Sequence, residues 1–240
     1  MAEHWQRQSP LTHLGLSAHD KNETSAASLV MAELRFLAKV TLRGRIPGES
    51  VRTALGVSLP GEPNTVMTGN NLSALWLGPD EWLIVGPPDA ERAMTGQLAK
   101  ALPGTAVVDV TEGRTTIRTR GPMVLDILAM GCPLDLHPRA FGPGRCAQST
   151  LGRSPIILHQ VDGAPLFDIH VERSQADYLW TWLETAGRPY GVAVEAVTAP
   201  PAWRRPAPRR YPGAFPPFAP SPSRQPTRGA TVPARSVPSS

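Results

Sequence analysis

Residues 72–87 read LSALWLGPDEWLIVGP, two short apolar runs on either side of the break Gly78-Pro79-Asp80-Glu81. Pro and Asp are turn formers, so the stretch predicts a β-hairpin. Alternate side chains of a strand point to opposite faces. Ala74, Trp76, Trp82 and Ile84 therefore share one face of the hairpin, and Leu75, Leu77, Leu83 and Val85 the other. Both faces are apolar, whereas a hairpin wetted on one side alternates apolar with polar. Each face needs a cover, and the nature of the second cover decides the fold.

Working outward, LAKVTLR (37–43) predicts a strand and Gly48–Leu55 a short helix ahead of the hairpin. Pro88 and Asp89 then open the helix ERAMTGQLAKAL, and AVVDV (106–110) predicts a strand after Pro103-Gly104. The order is β-α-β-β-α-β, the split βαβ pattern of ferredoxin-like domains. The pattern runs again. TTIRTR (115–120) predicts a strand and GPMVLDILAMG a helix, with Pro122 in its first turn and Gly131 just past its end. SPIILHQVDGAPLFDIHVER is a second hairpin turning at Asp162-Gly163, and Ser174 to Asp177 resembles a capping box that opens ADYLWTWLETA. A weak strand near Val192–Glu195 closes the repeat. The predicted fold is α+β, a duplicated pair of split βαβ units over residues 35–112 and 113–197. The polar residues 1–34 predict an extended arm.

The formal charge of +4 raises nucleic acid or an acidic membrane as a partner, but its distribution argues against both. Residues 199–240 hold seven Arg, no acidic side chain and 12 of the 27 prolines, leaving 17 basic against 20 acidic side chains before them. Proline fixes φ and removes donors, so 198–240 predicts a Pro/Arg-rich disordered tail on a mildly acidic body. No apolar run reaches the roughly 20 residues of a membrane span. The N-terminus MAEHWQRQSPLTHL lacks the apolar core of a secretory leader. A cytoplasmic setting, with Cys132 and Cys146 as free thiols, is the expectation.

Catalytic signatures are absent: no GxGxxG after a strand, no phosphate loop, no HExxH, no CxxC and no GxSxG. Cys132, His137, Cys146 and His159 do not follow a recurrent zinc spacing. His159, Asp168 and His170 gather on the second hairpin without a nucleophile or second carboxylate, which suits a polar sheet face better than an acid–base pair. Arg114, Arg118 and Arg120 share one strand face, able to clamp an anion or meet carboxylates. In the last helix Ala176, Leu179, Trp180 and Leu183 form a core stripe, extended sideways by Tyr178 and Trp182. Aromatic and Arg side chains anchor interfaces. Trp76, Trp82, Ile84, Tyr178, Trp182, Arg118 and Arg120 are therefore the candidate partner interface, with no catalytic, cofactor or metal residue assigned.

Several strings taken in order go beyond generic pattern: PNTV, ALWLGPDEWLIVGPP, VVDVTEGRTTIRTRGP, GCPLDLHPRAF, PGRCAQSTL and FDIHVERSQADYLWTWLE. Together, across Ser9 to Gly191, they resemble the gamma subunits of heterotetrameric sarcosine oxidase. The resemblance implies a fold distantly similar to the folate-binding domain of the glycine cleavage aminomethyltransferase. It implies alpha, beta and delta partners in a cytoplasmic enzyme that oxidatively demethylates sarcosine to glycine. That reaction gives hydrogen peroxide, with methylenetetrahydrofolate or formaldehyde carrying the methyl carbon. FAD, FMN, NAD, tetrahydrofolate and zinc are implied on the partner subunits and none on this chain, which becomes a non-catalytic assembly subunit. The alternative is a stand-alone folate-binding protein, for which Asp109 and Glu112 are the nearest candidate carboxylates.

Overall fold

The computed structural model describes residues 7–16 and 27–197. The expected tail (198–240) and residues 1–6 and 17–26 of the expected arm lie outside the described residues. The hairpin forms where its turn residues place it, as β4 (Leu72–Gly78) and β5 (Glu81–Pro88), with Trp76 opposite Trp82. Around it stand β2 (Leu37–Arg43), α1 (Gly48–Leu55), β3 (Val66–Gly69), α2 (Glu91–Ala101) and β6 (Ala106–Asp109). The second half follows as β7 (Arg114–Arg120), α3 (Val124–Ala129), β8 (Arg145–Leu151), β9 (Ser154–Asp162), β10 (Leu166–Glu172), α4 (Ala176–Gly187) and β11 (Val192–Val194).

The strands make two sheets. One has the order β3-β4-β5-β2-β6. The other contains β1 (Leu29–Glu33) and has the order β11-β1-β7-β10-β9-β8. Matching them strand for strand, β3 answers to β8, β4 to β9, β5 to β10, β2 to β7 and β6 to β11, which is the duplication expected from sequence. One detail differs from a plain split βαβ unit: each half carries one more strand, β3 or β8, than the pattern showed. The central pair (β2–β5, β7–β10) is antiparallel, as the split βαβ pattern requires.

The expected arm also needs correction. Its last residues, LVMAE, form β1, inserted between β11 and β7 and buried along its whole length. A continuous apolar run suits a strand covered on both faces, whereas an arm draped on the surface would expose half of it. Residues 7–16 do lie across the body as a strap, with Leu11 and Leu16 in the core.

Each sheet has its own helical layer, and the two bare faces meet. Ala74, Trp82 and Ile84 pack with Val51 and Leu55 of α1 and with Met94 and Leu98 of α2. Close approach of α2 requires Gly86, where a Cβ would lie 2.8 Å from Leu72 Cδ2 and 2.9 Å from Met94 Sδ. Leu75, Leu83 and Val85 face the other sheet and meet Ile157 and Cys146. Behind that second sheet, Ile117, Phe167 and Ile169 pack against α3 and α4. Both greasy faces of the opening hairpin are thus covered from within the chain.

Candidate functional site

Only one region of the described body brings ionisable side chains together in a buried place: the seam between the two sheets. Strand alternation creates it. On β7 and β10, Ile117, Phe167, Ile169 and Val171 point to the helices, so Thr116, Arg118, Asp168 and His170 point into the seam. Across from them β2 contributes Lys39, between Leu37 and Thr41.

Arg118 and Asp168 face each other across the β7–β10 pair. Arg118 Nε donates to Asp168 Oδ1 at 2.6 Å and Nη2 to Oδ2 at 2.7 Å, a bidentate pair whose carboxylate is fully buried. His159 stands opposite Asp168 in the β9–β10 register, as the hairpin predicts, but the carboxylate goes to Arg118. Thr116 Oγ1 and His170 Nδ1 share a hydrogen bond of 2.9 Å, while His170 Nε2 has no partner among the described residues. Lys39 Nζ donates to Leu37 O at 3.0 Å.

Burial sets the charges of these groups. It lowers Lys39 to about 8, helped by Arg7 and Arg114 and opposed by Asp168 and Glu112. Burial likewise lowers His159 to about 4, with Asp168 opposing and Arg118 adding to the effect. His170 falls well below its ordinary value through burial and then the charges of Lys39, His159, Arg114 and Arg118. The Cys146 thiol is pushed up to about 12 by burial, which leaves it protonated and unreactive. The seam therefore holds two neutral imidazoles, an ion pair and a lysine close to losing its proton. It is buried between the sheets rather than a polar face turned to water or a partner, as the alternation alone suggested.

The other candidates disperse. Trp82 is 8% exposed and its Nε1 donates to Pro60 O at 3.0 Å, and Ile84 is fully buried. Both belong to the chain's own core and leave the list of partner contacts, because α1 and α2 cover their face. Trp76 is half-buried beside them. Arg118 is committed to Asp168, and Arg120 pairs with Glu195 at 3.2 Å, so the arginine row is no free anion clamp. Tyr178 and Trp182 close over the β8–β9 turn. The Tyr178 hydroxyl accepts from Arg153 N–H at 3.2 Å, and Trp182 lies where a Cβ on Gly131 would meet its ring at 2.5 Å. Tyr178 still keeps 38% of its surface exposed.

Asp109 accepts from Thr111 N–H at 2.9 Å, and Glu112 is tied to Arg7 and Arg173. Cys132 lies in the helix-side core of the second sheet and Cys146 in the seam, so they do not meet. Among the described residues no three His, Cys, Asp or Glu side chains gather as a metal-ligating group. No described helix is long and apolar enough to cross a membrane. Sequence reasoning missed Lys39, whose signal was a lone ammonium flanked by Leu37, Ala38 and Val40. It also missed Glu33, fully buried at the end of β1, where Ser9, Thr115 and Arg35 all donate to it.

Comparison with known proteins gives this fold a family. The family model described as "Sarcosine oxidase, gamma subunit family" matches residues 47–188. The sarcosine oxidase subunit gamma of an Arthrobacter species is 34% identical over 159 residues, 63% of this chain and 76% of that protein. The counterpart from Corynebacterium sp. strain U-96 is 29% identical over 192 residues, 78% of this chain and 93% of that one. A chain of the solved heterotetrameric sarcosine oxidase from Corynebacterium sp. U-96 superposes with TM-score 0.67 at 29% identity, covering 77% of this chain and 96% of its own. The glycine cleavage aminomethyltransferase of Bartonella henselae shares the fold at 15% identity and TM-score 0.54, over 78% of this chain and 50% of its own. With its duplicated sheets, its order of strands and its matched segments, the chain belongs to the sarcosine oxidase gamma subunit family.

Proposed function

We propose that this chain serves a heterotetrameric sarcosine oxidase as its non-catalytic gamma subunit, assembled with alpha, beta and delta subunits in the cytoplasm. The assembly oxidises sarcosine to glycine, reduces oxygen to hydrogen peroxide, and releases the methyl carbon as methylenetetrahydrofolate or formaldehyde. FAD, FMN, NAD, tetrahydrofolate and zinc reside on the partner subunits. Residues 35–112 and 113–197 form the two repeated units. The observation that carries this reading is the match along 96% of one chain of the Corynebacterium U-96 heterotetramer. The buried ionisable cluster suits an assembly role: Asp168 is engaged by Arg118 within the second sheet, and both imidazoles are buried against the first. The surface offered to partners is the exposed edge of Tyr178 and Trp182, with Trp76 and Arg120 as further contacts.

Co-expression with and without the other three subunits tests the proposal. The chain alone is expected to carry no flavin absorbance and no sarcosine oxidation, and to co-purify with the flavin-bearing subunits when they are present. A stoichiometric yellow cofactor on the isolated chain overturns it.

A further inference from the structure

We infer that the layer between the two sheets is an acid-sensitive seam: it stays closed while His159 and His170 are uncharged. When either imidazole takes a proton, the two sheets part, each keeping its own helical layer.

Both imidazoles are buried between the sheets, and the groups that face them offer no free counter-ion. From β10 comes Asp168, with both oxygens already taken by Arg118. The strand β7 adds Arg114 and Arg118, and β2 adds Lys39, all cations that act on His170. Glu112, beside Lys39 in the β6–β7 turn, is bound to Arg7 and Arg173. From β4 and β5 the facing side chains are Ser73, Leu75, Leu83 and Val85, and β8 contributes the protonated Cys146. An imidazolium at 170 would therefore place an unpaired N–H at Nε2 among like charges, which a buried site does not tolerate.

The seam is also the weakest of the cores. Its cluster holds seven buried apolar residues among those described, against 13 behind the first sheet and 22 behind the second. Apolar burial scales with area, so the smallest cluster yields first and the opening is sub-global. The sign is fixed by the lowered imidazoles. The unfolded or opened chain binds a proton near 6.5 and the closed His159 only near 4, so stability is full above 6.5 and falls as the pH drops toward 4.

The two cysteines report on it, since Cys146 sits in the seam and Cys132 in the helix-side core. The full chain is labelled with 4,4′-dithiodipyridine from about pH 7.5 to about pH 4.5, with site-resolved mass spectrometry and far-ultraviolet circular dichroism alongside. The expected result is a rise of about tenfold or more in the ratio of Cys146 to Cys132 labelling while the far-ultraviolet signal persists. His159→Gln and His170→Gln should each lower that rise and together abolish it, and the single variants keep the test open where the double fails to fold. Simultaneous reaction of both thiols with loss of the far-ultraviolet signal overturns the inference. So does an unchanged acid response in a folded variant.

Discussion

Trp76 and Trp82 stand directly opposite each other across the β4–β5 hairpin, yet the two rings have different fates. Trp82 is closed under the loop at Pro60 and held by its indole hydrogen bond, while Trp76 remains half-buried at the edge of the same cluster. The pairing register shifts just beyond Trp76, before Gly78. Sharing a face therefore does not mean sharing a role.

Trp82→Ala should destabilise the chain itself. Removing a buried indole leaves a cavity and an unpaired Pro60 carbonyl, and the expected loss is about 3–5 kcal/mol. Denaturant unfolding of the isolated chain measures it. Recovery with partner subunits, normalised to folded chain, should stay near that of the unsubstituted protein.

Arg118 and Asp168 form the most buried ion pair described, the arginine side chain 13% exposed and the carboxylate sealed. Asp168→Asn should cost about 3–5 kcal/mol, because it strands a guanidinium in the seam. Arg118→Met combined with Asp168→Leu should recover most of that loss, since an apolar pair of similar volume leaves no buried charge. A double-mutant cycle from unfolding curves gives the coupling, and a double variant as unstable as the sum of the singles contradicts the assignment.

Lys39 predicts an alkaline gain in stability. Its folded value near 8 lies below the ordinary 10.5, so between those limits the unfolded chain binds the extra proton and stability rises with pH. The full difference is worth about 3 kcal/mol. Cys146 acts in the opposite sense: its thiol, raised to about 12 from 9, contributes stability that is lost as pH climbs above 9. The comparison of Lys39→Met with the unsubstituted chain isolates the lysine. The variant should be more stable at pH 7, with the difference shrinking toward pH 10 in urea unfolding. A variant that is less stable at both pH values contradicts the prediction.

Much of the fold was legible because its signals are local. Turn residues at 78–81 and 162–163 located both hairpins, and the 3.6-residue stripe of Leu179, Trp180 and Leu183 located α4 and its buried face. What covers a face is a long-range fact, and there the sequence misled. Alternation placed Trp82 and Ile84 together and Asp168 and His170 together, but parity does not say whether helix, second sheet or partner lies beyond. The strand β1 was hidden for the same reason, since LVMAE finds its partners 84 residues or more along the chain, at β7 and β11. β3 was hidden because VMTG is short, edge-lying and largely exposed. Lys39 reads as solvated from composition alone, and only the meeting of two sheets makes it buried.

The partner surface is tested at Tyr178. Its side chain stands on α4 with the residue 38% exposed, and its hydroxyl accepts one bond, from Arg153 N–H. Within the chain, losing that bond costs about 1 kcal/mol, a small change in melting temperature. At an interface a tyrosine anchor is worth about 2 kcal/mol or more when truncated. Tyr178→Ala should therefore lower recovery with the partner subunits by more than tenfold at limiting concentration while the melting point of the isolated chain moves little. Tyr178→Phe separates the two effects, because it removes the hydroxyl and keeps the ring: recovery should remain close to that of the unsubstituted chain. Loss of folding and assembly in parallel for Tyr178→Ala would return the ring to the chain's own packing over the β8–β9 turn. The partner contact would then have to be sought at Trp76 and Arg120.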